Sequence, residues 1–144
     1  AIIKSQFNMK KNKIIGVIAG AFDVIHPGYI HLFNECKKRC DHLLLLLHKD
    51  PSIDRNEKLK PILSIEERKL ILSSLRQINE IITYKTEADL HEILQNQKID
   101  IRFLGEDYKD KNFTGKELGI PIHFLDRSHG WSTTKFKKLL SNNI

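Results

Sequence analysis

The chain has almost nothing with which to cross-link itself or build a soft metal site. It carries two cysteines, Cys36 and Cys40. They lie one helical turn apart, form no C-x-x-C pair, and have no histidine cluster beside them to complete a zinc set. They read as small packed residues of a reduced, cytoplasmic protein. Long apolar runs are also missing. Leu43 to Leu47 is far too short to span a bilayer, and no secretory h-region is visible. No membrane partner is therefore expected. Methionine occurs once, at Met9. We expect Met9 to be the natural start, with residues 1–12 a tail of which Ala1 to Asn8 is an addition. Residues 13–144 then make one domain, large enough for a real core. Acidic charge is in the minority, leaving a formal net charge of +6, which suits anionic ligands. The excess is dispersed over Lys10-Lys11-Asn12-Lys13, Lys37-Lys38-Arg39 and Lys135-Phe136-Lys137-Lys138. Such clusters read as solvated faces, so no nucleic-acid partner is expected.

Apolar and helical periods alternate along the rest of the chain. Strands are expected at Lys13–Ala19, His42–His48, Glu80–Tyr84, Ile99–Leu104 and Pro121–Leu125. The five leucines of the second argue for burial on both faces. Helices are expected over Gly28–Cys40, from Ser64, over Glu87–Gln97, near Lys111–Leu118 and after Ser132. Ser64 and Glu67 form a capping box. Leu70, Ile71, Leu75 and Ile78 make the expected inward stripe of the second helix. Leu90, Ile93 and Leu94 do so for the third, and Phe136, Leu139 and Leu140 for the last. Alternating βα units imply an α/β fold: a single Rossmann-like, doubly wound domain with a five-stranded parallel sheet.

Four polar clusters fall at strand C-terminal ends or helix starts. They are Asp23, His26 and Gly28; Lys58 and Lys60 with Arg55; Gly105-Glu106-Asp107-Tyr108-Lys109; and Arg127 through Thr134. In a doubly wound fold these ends share one edge of the sheet, where ligands bind. Cations and two helix N-termini converging there suit a triphosphate and phosphoryl-group chemistry. Blander readings exist for single residues. Asp23 fits a helix cap, Asp107 a turn residue, Ser132 an N-cap and Trp131 a packing aromatic. His31, His42, His48, His91 and His123 match no ligand spacing, although His48 ends the second strand close to the expected site.

These clusters carry a resemblance. Gly20-Ala21-Phe22-Asp23-Val24-Ile25-His26-Pro27-Gly28 resembles the G-x-F-D-x-x-H-x-G signature of the HIGH-type nucleotidyltransferase superfamily. Arg127-Ser128-His129-Gly130-Trp131-Ser132-Thr133-Thr134 resembles the R-T-x-G-x-S-T-T signature of its cytidylyltransferase branch, to which glycerol-3-phosphate cytidylyltransferase belongs. Ser64-Ile65-Glu66-Glu67-Arg68-Lys69 and Leu104-Gly105-Glu106-Asp107-Tyr108 are similar to intermediate motifs of that branch.

The resemblance implies attack of a phosphomonoester oxygen on the α-phosphorus of a nucleoside triphosphate, with release of pyrophosphate. CTP is the expected donor, and a small phosphorylated alcohol or sugar the acceptor. His26 is implied at the triphosphate, with Ala21, Phe22 and Gly28 bringing backbone close to it. Lys58 and Lys60 are implied to grip the phosphomonoester or the triphosphate. Arg127, Ser132 and Thr133 are implied at the β- and γ-phosphates, and Glu106 and Asp107 at the base or ribose. Asp23 is implied at the metal, Mg²⁺, or at the acceptor. Relatives also suggest a homodimer. One departure stands out: Tyr29 occupies the position of the signature's second histidine. Two other readings stay open, an ATP-dependent adenylyltransferase of a sugar phosphate and a nucleotide-binding module without activity.

Overall fold

The computed structural model describes residues 13–144. The expected tail, Met9 and the first lysine cluster, except for Lys13, lie outside the described residues. The chain runs β1 (Ile15–Gly20), α1 (Pro27–Lys37), β2 (His42–His48), α2 (Ile65–Ser73), β3 (Glu80–Tyr84), α3 (Glu87–Asn96), β4 (Ile101–Gly105), β5 (Ile122–Leu125) and α4 (Thr133–Asn142). The sheet order is β3-β2-β1-β4-β5, and every pairing is parallel. This is the α/β architecture expected from the alternation of periods. The order reverses direction beside β1, so the crevice above the ends of β1 and β4 is the switch point that receives ligands in such sheets.

The leucines of β2 show how the core is split. Successive side chains point to opposite faces. Leu43, Leu45 and Leu47 pack with Phe33 and Cys36 of α1, Leu72 of α2 and Phe103 of β4. Leu44 and Leu46 pack with Val17, Tyr84, Leu90 and Leu94 on the α3 side. Both cysteines are buried, and burial pushes both thiols above their ordinary range. No helix among the described residues is long and apolar enough to cross a membrane.

Four expectations are corrected. Leu70 of α2 is 71% exposed and Ile71 is 38% exposed, while the face turned inward carries Arg68 and Leu72. Leu75 and Ile78, just past the helix end, do pack against the core as expected, while Arg68 points a cation at the sheet edge beside Leu72. Leu139 and Leu140 of α4 are also about half exposed. The region expected as a helix near Lys111–Leu118 forms only the short 3₁₀ turn Lys116–Leu118. Gly115 and Gly119 flank it with φ of 83° and 71°, a left-handed geometry that stops helix growth. α1 also ends at Lys37 rather than Cys40.

Candidate active site

The turn after β1 sets the geometry. Phe22 has φ +45°, an unusual value for a residue with a Cβ. Its ring is buried and packs on Tyr29 and Phe33 at centroid distances of 5.5 and 5.6 Å. That packing holds a backbone conformation costing of order 1–3 kcal/mol. The next residue, Asp23, is buried and fully engaged. Its carboxylate accepts from the Ile62 N–H at 2.7 Å, the Leu63 N–H at 2.9 Å and the Lys137 ammonium at 2.9 Å. Burial pushes this carboxyl up, but the three donors outweigh burial and hold it below its ordinary value. Asp23 thus ties the segment before α2 to α4.

The segment between β2 and α2 is fastened from below by Arg68. Its guanidinium donates to the carbonyls of Leu63 (3.1 Å), Ala21 (2.9 Å), His48 (2.7 Å) and Lys49 (2.7 Å). It therefore satisfies carbonyls beyond the ends of both β1 and β2. The Ser64–Glu67 capping box starts α2 as expected. His48 is buried, stacks on Tyr84 and meets the Lys85 carbonyl through Nε2. It is a packing residue in the cleft wall.

His26 is the N-cap of α1. Its Nδ1 accepts the Gly28 N–H at 3.1 Å, so in the neutral ring the proton sits on Nε2. That nitrogen lies 3.3 Å from the Thr133 hydroxyl. The Tyr29 hydroxyl lies 2.5 Å from the same oxygen. Thr133 opens α4 immediately after its N-cap, Ser132, whose hydroxyl accepts from the Lys135 N–H. The starts of α1 and α4 are thus joined through one hydroxyl. The imidazole lies between Tyr29, stacked at 4.4 Å, and Trp131, stacked at 5.8 Å. Trp131 packs on a side chain of the site here. Gly28 is required by close approach: a Cβ there would lie 2.6 Å from the Trp131 Cβ and 2.8 Å from the His26 ring. Burial, followed by the charges of His129 and Arg127, pulls the His26 pKa below its ordinary 6.5. Burial pushes the Tyr29 phenol above 10. Near neutral pH both are uncharged hydrogen-bond donors.

A cleft of about 560 Å³ opens along the C-terminal edge of the sheet. Of the residues singled out in the sequence, Ala21, Phe22, Asp23, Tyr29, Lys58, Asp107, Arg127 and Thr133 line it. Arg127 and Asp107 face each other at 4.0 Å on its rim. His26 stands one hydrogen bond behind the wall, with Thr133 between it and the cleft. Gly28 and Ser132 lie outside the lining, at the starts of α1 and α4. Lys60 and Glu106 are exposed and outside the lining.

The expectation of Asp23 as a metal ligand does not fit its surroundings. Both oxygens are taken, and an ammonium group sits at 2.9 Å. Among the described residues no group of three or more His, Cys, Asp or Glu side chains could hold a metal ion.

Sequence reasoning left out Lys137, Tyr84, Glu87 and Arg102, all of which line the cleft. Lys137 belongs to a basic run read as a solvated face, and nothing in its spacing marks it. Arg102 did carry a signal, as an arginine between Ile101 and Phe103 in an apolar strand.

The cytidylyltransferase-like family matches residues 17–138, nearly the whole described chain. The chain belongs to the cytidylyltransferase-like family. That makes it a nucleotidyltransferase by kind. The glycerol-3-phosphate cytidylyltransferase of Bacillus subtilis is 31% identical over 119 residues, covering 83% of this chain and 91% of that protein. The FAD synthase of Thermococcus sibiricus is 28% identical over 126 residues, covering 80% and 85%. The bifunctional protein HldE of Granulibacter bethesdensis is 29% identical over 132 residues, covering 88% of this chain but only 27% of its own length. The chain therefore spans about a quarter of that relative. The crystal structure of a lipopolysaccharide core biosynthesis protein from Thermoplasma volcanium superposes with a TM-score of 0.63 at 28% identity, covering 78% of this chain and 94% of that one.

Proposed function

We propose that this cytidylyltransferase-like chain transfers CMP from CTP to a small phosphorylated alcohol or sugar, releasing pyrophosphate. The observation that carries the reading is the convergence on Thr133. His26 Nε2–H and the Tyr29 hydroxyl both meet its oxygen. With that oxygen accepting from both, the Thr133 proton is free to donate into the cleft. Neutral donors fixed before the reaction, beside two helix starts, suit a phosphate whose charge grows as the leaving group departs. Arg127 on the rim and Lys137 beside Asp23 add positive charge. The acceptor oxygen attacks the α-phosphorus, the bond to the bridging oxygen breaks, and pyrophosphate leaves with those electrons.

Pyrophosphate release tests this directly. Each of CTP, ATP, GTP and UTP is paired with a panel of phosphomonoesters, with Mg²⁺ supplied alongside the triphosphate. Release with CTP and one acceptor supports the proposal. Release only with ATP and a sugar phosphate transfers it to the adenylyl reading. Nucleotide binding without release from any pair leaves a binding module.

Tyr29 gives a second test, through pH. His26 titrates below 6.5 and Tyr29 above 10. The rate is therefore expected to be flat from about pH 7 to 9. Below that plateau His26 gains a proton, and its Nδ1 can no longer accept the Gly28 N–H. Stability drawn from the neutral ring is present above pH 6.5 and is lost as the pH falls through the lowered pKa. Tyr29→Phe should keep the flat profile and slow turnover roughly tenfold, the worth of one oriented hydrogen bond. Tyr29→His should add an inflection near neutrality. If neither variant changes rate or profile, Tyr29 has no part in turnover.

A further inference from the structure

The cleft has two unlike lobes. One lies between α1 and α4 and is lined by Tyr29, Thr133, Lys137 and Arg127. The other lies on the α3 side of the sheet and is lined by Arg55, Tyr84, Glu87, Arg102, Tyr108 and Thr114. The chemistry above uses only the first.

Arg102 is the anomaly of the second lobe. It sits in β4 between Val17 of β1 and Ile122 of β5, where an apolar residue is the rule. It is 4% exposed. Its guanidinium lies 5.1 Å over the Phe113 ring and donates one N–H to the Thr114 carbonyl. The buried Arg68 makes an instructive contrast, because it delivers four N–H bonds to main-chain carbonyls. A guanidinium has five N–H donors. Among the described residues the others of Arg102 find no acceptor, and no carboxylate lies within 4.0 Å. Glu87, in the same lobe, is held by Arg55 at 3.7 Å and by the Thr114 hydroxyl at 2.9 Å. Yet no Arg102 nitrogen is sealed off without a partner; the one such atom among the described residues is His129 Nε2. The spare N–H groups therefore open onto the cleft. Gly115, at φ +83°, lets the covering segment pass close above: a Cβ there would lie 2.9 Å from Leu94 and 3.3 Å from the guanidinium.

A buried cation with no carboxylate in contact is costly unless an anion completes it. The planar fork suits a carboxylate or phosphate bound through two oxygens. The phenols of Tyr84 and Tyr108, the Thr114 hydroxyl and the Glu87 carboxylate around it suit a chain of hydroxyls. We propose that Arg102 binds an oxyanion of the acceptor substrate, at the base of a lobe that receives a polyhydroxylated molecule. The donor nucleotide takes the other lobe, with the helix starts. This inference rests on the nucleotidyl-transfer reading of the cleft.

The test is calorimetric titration of the full chain with inorganic phosphate, glycerol 3-phosphate, glycerate and, separately, CTP and ATP. The wild type should bind at least one of the three anions. R102Q should weaken that anion at least tenfold while nucleotide affinity stays within twofold, and R102K should fall between. Binding of glycerol 3-phosphate and phosphate, without glycerate, assigns a phosphate to Arg102; glycerate alone assigns a carboxylate. If R102Q does not fold, R102K carries the test, with an anion loss of at least threefold at unchanged nucleotide affinity. No anion binding by the wild type overturns the proposal. So does unchanged anion affinity in the variants, or an equal loss of anion and nucleotide. The two readings fail separately. Anion binding through Arg102 without pyrophosphate release from any pair sinks the transferase, whereas normal release with an unchanged acceptor KM in the variants sinks the Arg102 site.

Discussion

Replacing His26 with alanine is expected to lower kcat by roughly tenfold, the worth of one oriented hydrogen bond, because His26 acts through the Thr133 hydroxyl that it orients toward the cleft. Nucleotide affinity should change little, because the Thr133 donor that His26 orients matters most as charge moves onto the leaving phosphates, so kcat and kcat/KM should fall together. The variant also loses the acceptor for the Gly28 N–H. A lost helix cap costs about 1 kcal/mol, which lowers Tm by roughly 3 °C in a chain of this size. His26→Asn separates the two effects. It offers a cap oxygen and should recover part of the stability, but it cannot reach Thr133 as the imidazole does, so turnover should stay low. Steady-state kinetics and thermal unfolding on the same preparations decide it. Turnover within threefold of the parent would remove His26 from the chemistry.

Arg68→Leu is expected to be the most destabilising single change in the cleft wall. The leucine fills much of the space but leaves the carbonyls of Leu63, Ala21, His48 and Lys49 without a donor. Each buried, unsatisfied carbonyl costs about 1–3 kcal/mol. With partial rescue by water, a loss of about 4 kcal/mol and a drop of roughly 10 °C in Tm are expected. A buried ion pair can be exchanged for apolar residues at little cost when both partners go. Here the partners are main-chain groups and remain. The segment carrying Lys58 hangs from these bonds, so the surviving folded protein should also show a raised KM for the acceptor. Calorimetric unfolding checks the first effect. A loss below about 1 kcal/mol would mean that these carbonyls find other donors.

Much of this molecule follows from local pattern. Five strands, the parallel order, the capping box at Ser64 and the cluster of motifs at one sheet edge are all written in periods of two and 3.6, in turn residues and in short motifs. Such features need only neighbours a few positions away. The inward face of α2 is not legible this way, because an arginine at position 68 interrupts the apolar pattern, and its acceptors lie 5 to 47 residues away in sequence. Its motif places Asp23 at the site, as a metal or acceptor contact. Its actual partners, the N–H groups of Ile62 and Leu63 and the ammonium of Lys137, are 39, 40 and 114 positions distant.

The amino-acid sequence alone thus determines the βα alternation, the gathering of the motifs at one edge of the sheet and the family. Only the tertiary structure decides which groups are free to act there. It places Thr133 between His26 and the cleft, engages both oxygens of Asp23 with N–H donors, and leaves Arg102 buried with N–H groups to spare. The physical reason is that a hydrogen bond or an uncompensated charge belongs to a pair of groups. The pairs that matter here are joined by the fold, across distances at which sequence spacing carries no information.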